Sequence, residues 1–429
     1  QLAKVTAFDV VDKKKIWEVD LFGTSPNPAL AFGVMQQINE ADGVRVVYQD
    51  GWSTKAGQQW VVEANYTVVL TREGLVAKDN ARGTVLWTKA NVSPRTHMLG
   101  DAEHVFTYEC AADGAASPVR CYRAADGVEV SIPDSSSSFN NIKKAKFFGR
   151  RVLTFDETEG KKAVRLYDLL TGKDIWRKEL GGDGWMLKSE DRDHTGYVTA
   201  NGEVIVLSSQ DGKEIFKAKL DEAVKKDQLE KVNEVLLLSD AERFFVMLNK
   251  PGENANRFGY NPIFTQSIRS VRVNGHMYAF DRTTSKRLWY TEEQLEEQNI
   301  SLEQFAQIPV IIAGMQGQKL NPNGAFEFRQ RVVGIDKATG RVRYNKNQQS
   351  NGQQYYAITT DPKTGIIEVL NYGNSRIKFV PDDGKTMGRT DGPGDKPATT
   401  PAIGIAPPPI GIAVPIKRIN IAPGRIIAD

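Results

Sequence analysis

The chain has 429 residues and a formal net charge of +3, from 56 Lys and Arg against 53 Asp and Glu interspersed along its length. That balance leaves no basic face of the kind nucleic acid needs, and no apolar run approaches the roughly 18–20 residues that span a bilayer. A hydrophobic content of 40% with 37 Gly fits a turn-rich, all-β chain with a sizeable core.

A repeating unit begins within the first ten residues. Asp9 is followed eight residues later by Trp17 across a polar turn. The same spacing recurs as Asp79 to Trp87, Asp168 to Trp176, Asp281 to Trp289 and Asp336 to Tyr344. Ser208 and Phe216 keep the spacing with a changed first residue, Val119–Ile132 is a copy without the aromatic, and Gly365–Val380 is a weaker eighth candidate. Each copy reads as a hairpin, two alternating runs around a turn whose Gly supplies positive φ. The Asp can accept backbone N–H bonds across the turn. An aromatic on the following outer strand buries a large apolar area against the next unit. Hairpins roughly 35–75 residues apart suit four-stranded blades, some with insertions. Trp17, Trp87, Trp176, Phe216, Trp289 and Tyr344 are therefore the expected blade-docking residues.

The segments between hairpins fill in the rest. Residues 1–22 form a hairpin without the two inner strands a blade needs, so Tyr355–Thr360 and Gly365–Asn371 are expected to pair with it and close a ring. The chain starts at Gln1 without a leader pattern, so it is expected to be a processed product, and a cut that removed partner strands is the competing account. Residues 60–90 read as a complete blade. Cys110 and Cys121 flank ten residues that read as a hairpin loop. They fit either a cross-strand disulfide, which would place the protein outside the cytosol, or two buried thiols. Glu190–His194 offers oxygen and nitrogen ligands, although solvated loop carboxylates are commoner. Asp221–Leu236 has an apolar stripe at helical spacing, and Thr291–Gln294 and Ser301–Gln304 fit the capping box, so small helical insertions are expected. In the loop Pro251–Gln266, Phe258, Tyr260 and Phe264 beside Arg257 have the composition of a partner contact. The other reading is packing over a central channel.

From Pro381 the composition changes. Nine of the 19 prolines lie in 381–429, and no aromatic follows Phe379. Ile alternates at Ile403 and Ile405, Ile410 and Ile412, Ile419 and Ile421, which suits short extended segments laid on a surface. That surface is either the chain's own repeat domain or a neighbouring subunit.

The hairpins AFDVVDKKKIW, AKDNARGTVLW, LYDLLTGKDIW, AFDRTTSKRLW and GIDKATGRVRY resemble the quinoprotein-type, or PQQ-like, β-propeller repeat, over roughly residues 1–380. The resemblance implies a seven- or eight-bladed β-propeller of four-stranded blades, docked through the turn Gly and the Trp, with a Pro/Ile-rich tail over 381–429. The family includes dehydrogenases, assembly-factor lipoproteins and binding scaffolds. Its enzymes hold pyrroloquinoline quinone and Ca²⁺ in the channel, often with an adjacent Cys-Cys pair over the quinone. Cys110 and Cys121 are not adjacent and the repeat Trp residues are occupied in docking, so no catalytic, cofactor or metal residue carries over and no cofactor is expected. The expectation is a non-catalytic scaffold of an extracytoplasmic or cell-envelope assembly. It would contact other protein subunits through face loops and the tail, not nucleic acid. A quinoprotein or other channel-centred oxidoreductase is the alternative.

Overall fold

The computed structural model describes residues 4–9, 11–20, 36–40, 43–47, 53–55, 60–71, 73–93, 96–109, 117–135, 145–158, 161–180, 184–189, 191–220, 229, 231–251, 263–265, 267–291, 295–320, 326–349, 354–371, 376–381, 387–391, 421–422 and 425–426. The chain divides into two compact units, residues 1–179 with 407–429, and residues 180–406. Every named element is a β-strand.

In the first unit, β1 (Lys4–Asp9) and β2 (Lys14–Asp20) form a two-stranded sheet. β3 (Gln36–Glu40), β4 (Gly43–Val47) and β5 (Ser53–Lys55) form a three-stranded one. Three four-stranded antiparallel sheets follow. They are β6 (Trp60–Val62), β7 (Tyr66–Thr71), β8 (Gly74–Asp79) and β9 (Val85–Ala90); β10 (Thr96–Gly100), β11 (His104–Glu109), β12 (Arg120–Arg123) and β13 (Glu129–Val130); and β14 (Lys146–Phe148), β15 (Arg151–Thr158), β16 (Lys161–Asp168) and β17 (Lys173–Leu180). Within a sheet the inner strands are apolar runs covered on both faces, as all six residues of β7 are, while the outer strand alternates, as β9 does.

In the second unit, twelve strands share one hydrogen-bonded sheet built of three such groups. These are β18 (Trp185–Ser189), β19 (His194–Val198), β20 (Glu203–Ser208) and β21 (Glu214–Lys219); β22 (Glu234–Ser239), β23 (Arg243–Asn249), β24 (Ser270–Asp281) and β25 (Arg287–Tyr290); and β26 (Leu295–Ser301), β27 (Val310–Leu320), β28 (Phe326–Asp336) and β29 (Val342–Gln349). Innermost strands β18 and β22 pair in parallel, and the 12-residue β24 reaches past its own group to pair with β26. A last antiparallel sheet holds β30 (Tyr355–Thr360), β31 (Ile367–Asn371), β32 (Arg376–Pro381) and β33 (Met387–Asp391). In the first unit, β34 (Ile421–Ala422) pairs with β35 (Arg425–Ile426).

The repeated turns share one construction. Asp9 Oδ1 accepts the N–H groups of Val11 and Asp12, Asp79 those of Ala81 and Arg82, Asp168 those of Leu170 and Thr171, and Asp281 those of Thr283 and Thr284. These donated bonds hold the Asp9 and Asp281 carboxyls below their ordinary pKa. Four residues after the motif position, the backbone turns left-handed at Lys13, Gly83, Gly127, Gly172, Gly212, Ser285 and Gly340. The register shifts beside these turns, as at Ala77/Lys78 and Gly334/Ile335, mark a β-bulge.

The left-handed residue is also the seat for the aromatic of the preceding hairpin. A Cβ on Gly83 would stand 2.8 Å from Trp17 Cβ, one on Gly127 2.8 Å from Trp87 Cδ2, and one on Gly340 2.6 Å from Trp289 Cδ2. The indole N–H then donates to the carbonyl just after the motif position, Trp87 to Ala124 at 2.7 Å and Trp289 to Lys337 at 2.8 Å. Phe216, whose facing turn carries Ser285, packs edge-on against Phe244 and Phe280. Tyr344 packs edge-on against Phe379. The copy without an aromatic places Pro133 over Gly172. Trp176 is half-buried. Trp17 sits on the turn of β8 and β9, so hairpin β1–β2 precedes sheet β6–β9, and β3–β5 is an insertion between them.

Several expectations are corrected. β30 (Tyr355–Thr360) pairs with β31 (Ile367–Asn371), β31 with β32 and β32 with β33. The last sheet therefore runs past residue 380 to Asp391. Leu295–Ser301 is strand β26 and Glu234–Ser239 is strand β22 rather than helix, while residues 221–228 lie outside the described residues. Thr291 Oγ1 accepts the Met277 N–H, and Gln304 reaches the Ile358 carbonyl and the Thr360 hydroxyl, so neither forms a capping box. Cys121 pairs across the strand with Phe106. Cys110 lies outside the described residues. Cys121 is a free thiol whose burial pushes its pKa up to about 12.

Gly340→Ala is expected to lower stability by about 2 kcal/mol or more, combining a left-handed Ala with an indole in the way. Ser285→Gly should change stability by less than about 1 kcal/mol, in the stabilising direction. The urea midpoints of the two variants against the parent chain check this pair.

Candidate functional site

A second set of turns, joining the first two strands of several groups, repeats the Asp device. Asp101 Oδ1 accepts the N–H groups of Glu103 and His104, Asp191 those of Asp193 and His194, and Asp240 those of Glu242 and Arg243. The sequence signal is short, Asp-Ala-Glu-His at 101–104 and Asp-Ala-Glu-Arg at 240–243, and carries no aromatic at a fixed spacing.

In the second unit these turns carry a buried polar belt. Asp191 Oδ2 accepts from His194 Nδ1 at 2.8 Å and from the Ser239 hydroxyl at 2.7 Å, which ties β19 to the end of β22. These bonds hold the Asp191 carboxyl well below the ordinary range against the opposing effect of burial. Arg282 donates to His194 Nε2 at 3.1 Å and to the Asp240 carbonyl at 2.8 Å, and its guanidinium lies 4.5 Å from the Phe244 ring centroid. Since guanidinium can only donate, His194 carries its proton on Nδ1 and accepts at Nε2. Asp240 Oδ2 then meets Arg243 at 3.2 Å and Lys337 Nζ at 3.8 Å.

Lys337 closes the belt. It is 1% exposed, donates to the Phe305 carbonyl, and sits over the Phe305 ring at 3.9 Å. Burial brings its pKa down to about 8. The first unit has a shorter version, with Arg150 donating to Asp168 at 3.0 Å and lying 3.8 Å from Asp101.

Chemically this arrangement joins strands. Both nitrogens of His194 are engaged, and Lys337 is sealed beneath Phe305. The Asp191 and His194 carboxylate and ring, read as possible metal ligands, are tied to Ser239 and Arg282 instead. Of the three aromatics in the loop before 266, Phe264 is 3% exposed and bridges in parallel to Tyr355, so it is core and not a partner contact. Phe258 and Tyr260 lie outside the described residues, as do Ile403, Ile405, Ile410, Ile412 and Ile419. Ile421 begins β34. In the first unit a groove of about 420 Å³ opens at the turn end of sheets β6–β9 and β10–β13, between Tyr66, Leu86, His104 and Arg123.

Lys337 makes a pH prediction. Its folded pKa of about 8 lies below the ordinary 10.5, so below pH 8 the cation is buried and its cost is present in full. Between pH 8 and 10.5 the folded state sheds the proton while the unfolded chain keeps it, so this group's contribution to stability rises with pH. Lys337→Met should abolish that rise, on the order of 2–3 kcal/mol, in urea titrations from pH 7 to 10.5.

Residues 160–365 match the family model described as outer membrane protein assembly factor BamB. Among solved structures, BamB from Moraxella catarrhalis is 12% identical, with 84% of this chain and 91% of that chain covered and a TM-score of 0.35. A computationally designed protein is 11% identical over 81% and 96%, TM-score 0.32. A chain of a mitotic checkpoint complex is 8% identical over 73% and 83%, TM-score 0.30. A comparison with curated protein sequences gives no match. Residues 160–365, which hold the hairpins of Asp168, Ser208, Asp281 and Asp336, thus match a family model of the PQQ-like repeat.

Proposed function

We propose that this protein is a non-catalytic β-propeller scaffold, a component of an extracytoplasmic or cell-envelope assembly whose C-terminal tail docks on a neighbouring subunit. One observation carries the reading. The polar side chains that recur with the repeat are committed to holding turns and joining strands, Asp79, Asp168 and Asp281 to turn N–H groups and Asp191, His194 and Arg282 to one another. A repeat whose carboxylates are consumed this way supplies a rigid frame, and function on such a frame resides in what its loops, rims and tail present. The match of residues 160–365 to an assembly-factor model supports the same reading. Among the described residues no helix is long and apolar enough to cross a membrane. The proposed frame has seven or eight blades and extends to Asp391, with the tail following it.

A chain ending at Asp391 is expected to keep the melting temperature and circular dichroism of the full chain and to lose its assembly, seen by light scattering as a fall to the mass of one truncated chain. Unchanged assembly would remove the tail from the mechanism.

A further inference from the structure

Resting on the scaffold reading, we propose that the groove at the turn end of sheets β6–β9 and β10–β13 receives a Lys or Arg side chain from a partner protein. Elsewhere in the repeat the same place is filled by a cation of the chain's own.

The place is set by the residue just after the motif position of a hairpin. Ala124, Arg282 and Lys337 are held there alike. Their N–H groups donate to the carbonyls of Glu103, Glu242 and Pro309, each from the connection between the first two strands of the same group. The carbonyls of Ala124 and Lys337 accept the indole N–H of Trp87 and Trp289. With the backbone fixed in one way, the three side chains enter equivalent positions beside the preceding group.

In the second unit that position holds a positive charge. Arg282 donates to His194 of the group before it and lies over Phe244 of its own. Lys337 stands 3.8 Å from Asp240 of the group before it, over the Phe305 ring. In the first unit the position holds Ala124, followed by Ala125, and the side chain stops at Cβ. The groove of about 420 Å³ opens at these two alanines, with Tyr66 and Leu86 of the preceding sheet across from them.

The charge around the groove suits a cation. Asp79 and Glu103 line it. Asp79 uses Oδ1 for the Ala81 and Arg82 N–H groups, and among the described residues neither Asp79 Oδ2 nor the exposed Glu103 carboxylate has an ion-pair partner. Arg123, the lining cation, is bound through two nitrogens by Asp126. Tyr66 donates its hydroxyl to the Asp101 carbonyl, as Arg282 donates to that of Asp240, so the hydrogen bond is kept here without the charge. An apolar trough lined by carboxylates matches a long aliphatic stem with an ammonium or guanidinium head, which buries its methylenes and keeps the head among oxygens.

The test titrates the full chain with acetylated, amidated peptides Ala-Ala-X-Ala-Ala, where X is Arg, Lys, Gln or Glu, by saturation-transfer NMR at low salt. The Arg and Lys peptides are expected to bind roughly tenfold more tightly than the other two, the scale of one charge-assisted hydrogen bond. Glu103→Gln, at an exposed side chain, should weaken them about threefold, as an exposed charge pair does. Ala124→Lys, which repeats in this hairpin what Lys337 does in its own, should abolish the signal with the circular dichroism unchanged. Equal or absent binding of all four peptides, or binding that neither variant alters, would overturn the groove as a cation site. Binding that appears only when the chain ends at Asp391 would overturn the partner as the source and assign the groove to this chain's own basic residues beyond that point. None of these outcomes changes the assembly measured by light scattering, so the scaffold reading stands or falls apart from the groove.

Discussion

The left-handed residue at the end of each repeated turn is the constraint on which the rest depends. It closes a turn that an Asp carboxylate most often holds, as Asp79 does before Gly83 and Asp336 before Gly340, and it must leave room for an aromatic ring from the hairpin before it. Trp17 on Gly83, Trp87 on Gly127 and Trp289 on Gly340 meet that second condition with less than 3 Å to a would-be Cβ, Gly127 following Arg123 instead of an Asp. Local turn chemistry and long-range docking thus fall on the same atom, which makes each joint all-or-none. Where the turn residue has a side chain, as Ser285 does, the arriving aromatic is Phe216, which packs on Phe244 and Phe280.

That coincidence is why so much of the fold was legible. Turn Gly, Asp and aromatic all lie within nine residues, so their spacing survives in a single sequence, and the strands of residues 60–90 follow from simple alternation. Legibility ended where the determining contact is remote. His194 and Arg282 are 88 residues apart and Asp191 and Ser239 are 48 apart, and nothing local marks them as partners. Only the short Asp-Ala-Glu recurrence at 101 and 240 pointed to that end of the sheets.

The helical expectation over 291–304 failed for a related reason. Leu295 and Ile300 are core and could have lain on a helical face, but Glu297 and Gln298 between them are also buried. Glu297 is held there by Arg272 from β24, and Gln298 pairs in the ladder with Val273. Two buried polar residues inside an apolar helix would be read as its solvent face. In a strand pinned between two others they are carried inward by their neighbours. Gln298 has neither side-chain polar atom bonded among the described residues, so tertiary pairing overrides the local pattern here at a cost that the backbone ladder offsets.

The same separation of local and remote determinants bears on what such a frame can do. The outer strands carry an exposed apolar residue at a matching place in the repeat, Ile16, Ile175, Ile215 and Leu288 each just before its aromatic. Dispersed in this way they present no broad sticky face. Beside these, Tyr290 is exposed next to Leu288, and Phe8 and Val11 are exposed on the first hairpin. Where such a frame meets a partner is therefore set by the loops and rims its described hairpins present rather than by the hairpin joints.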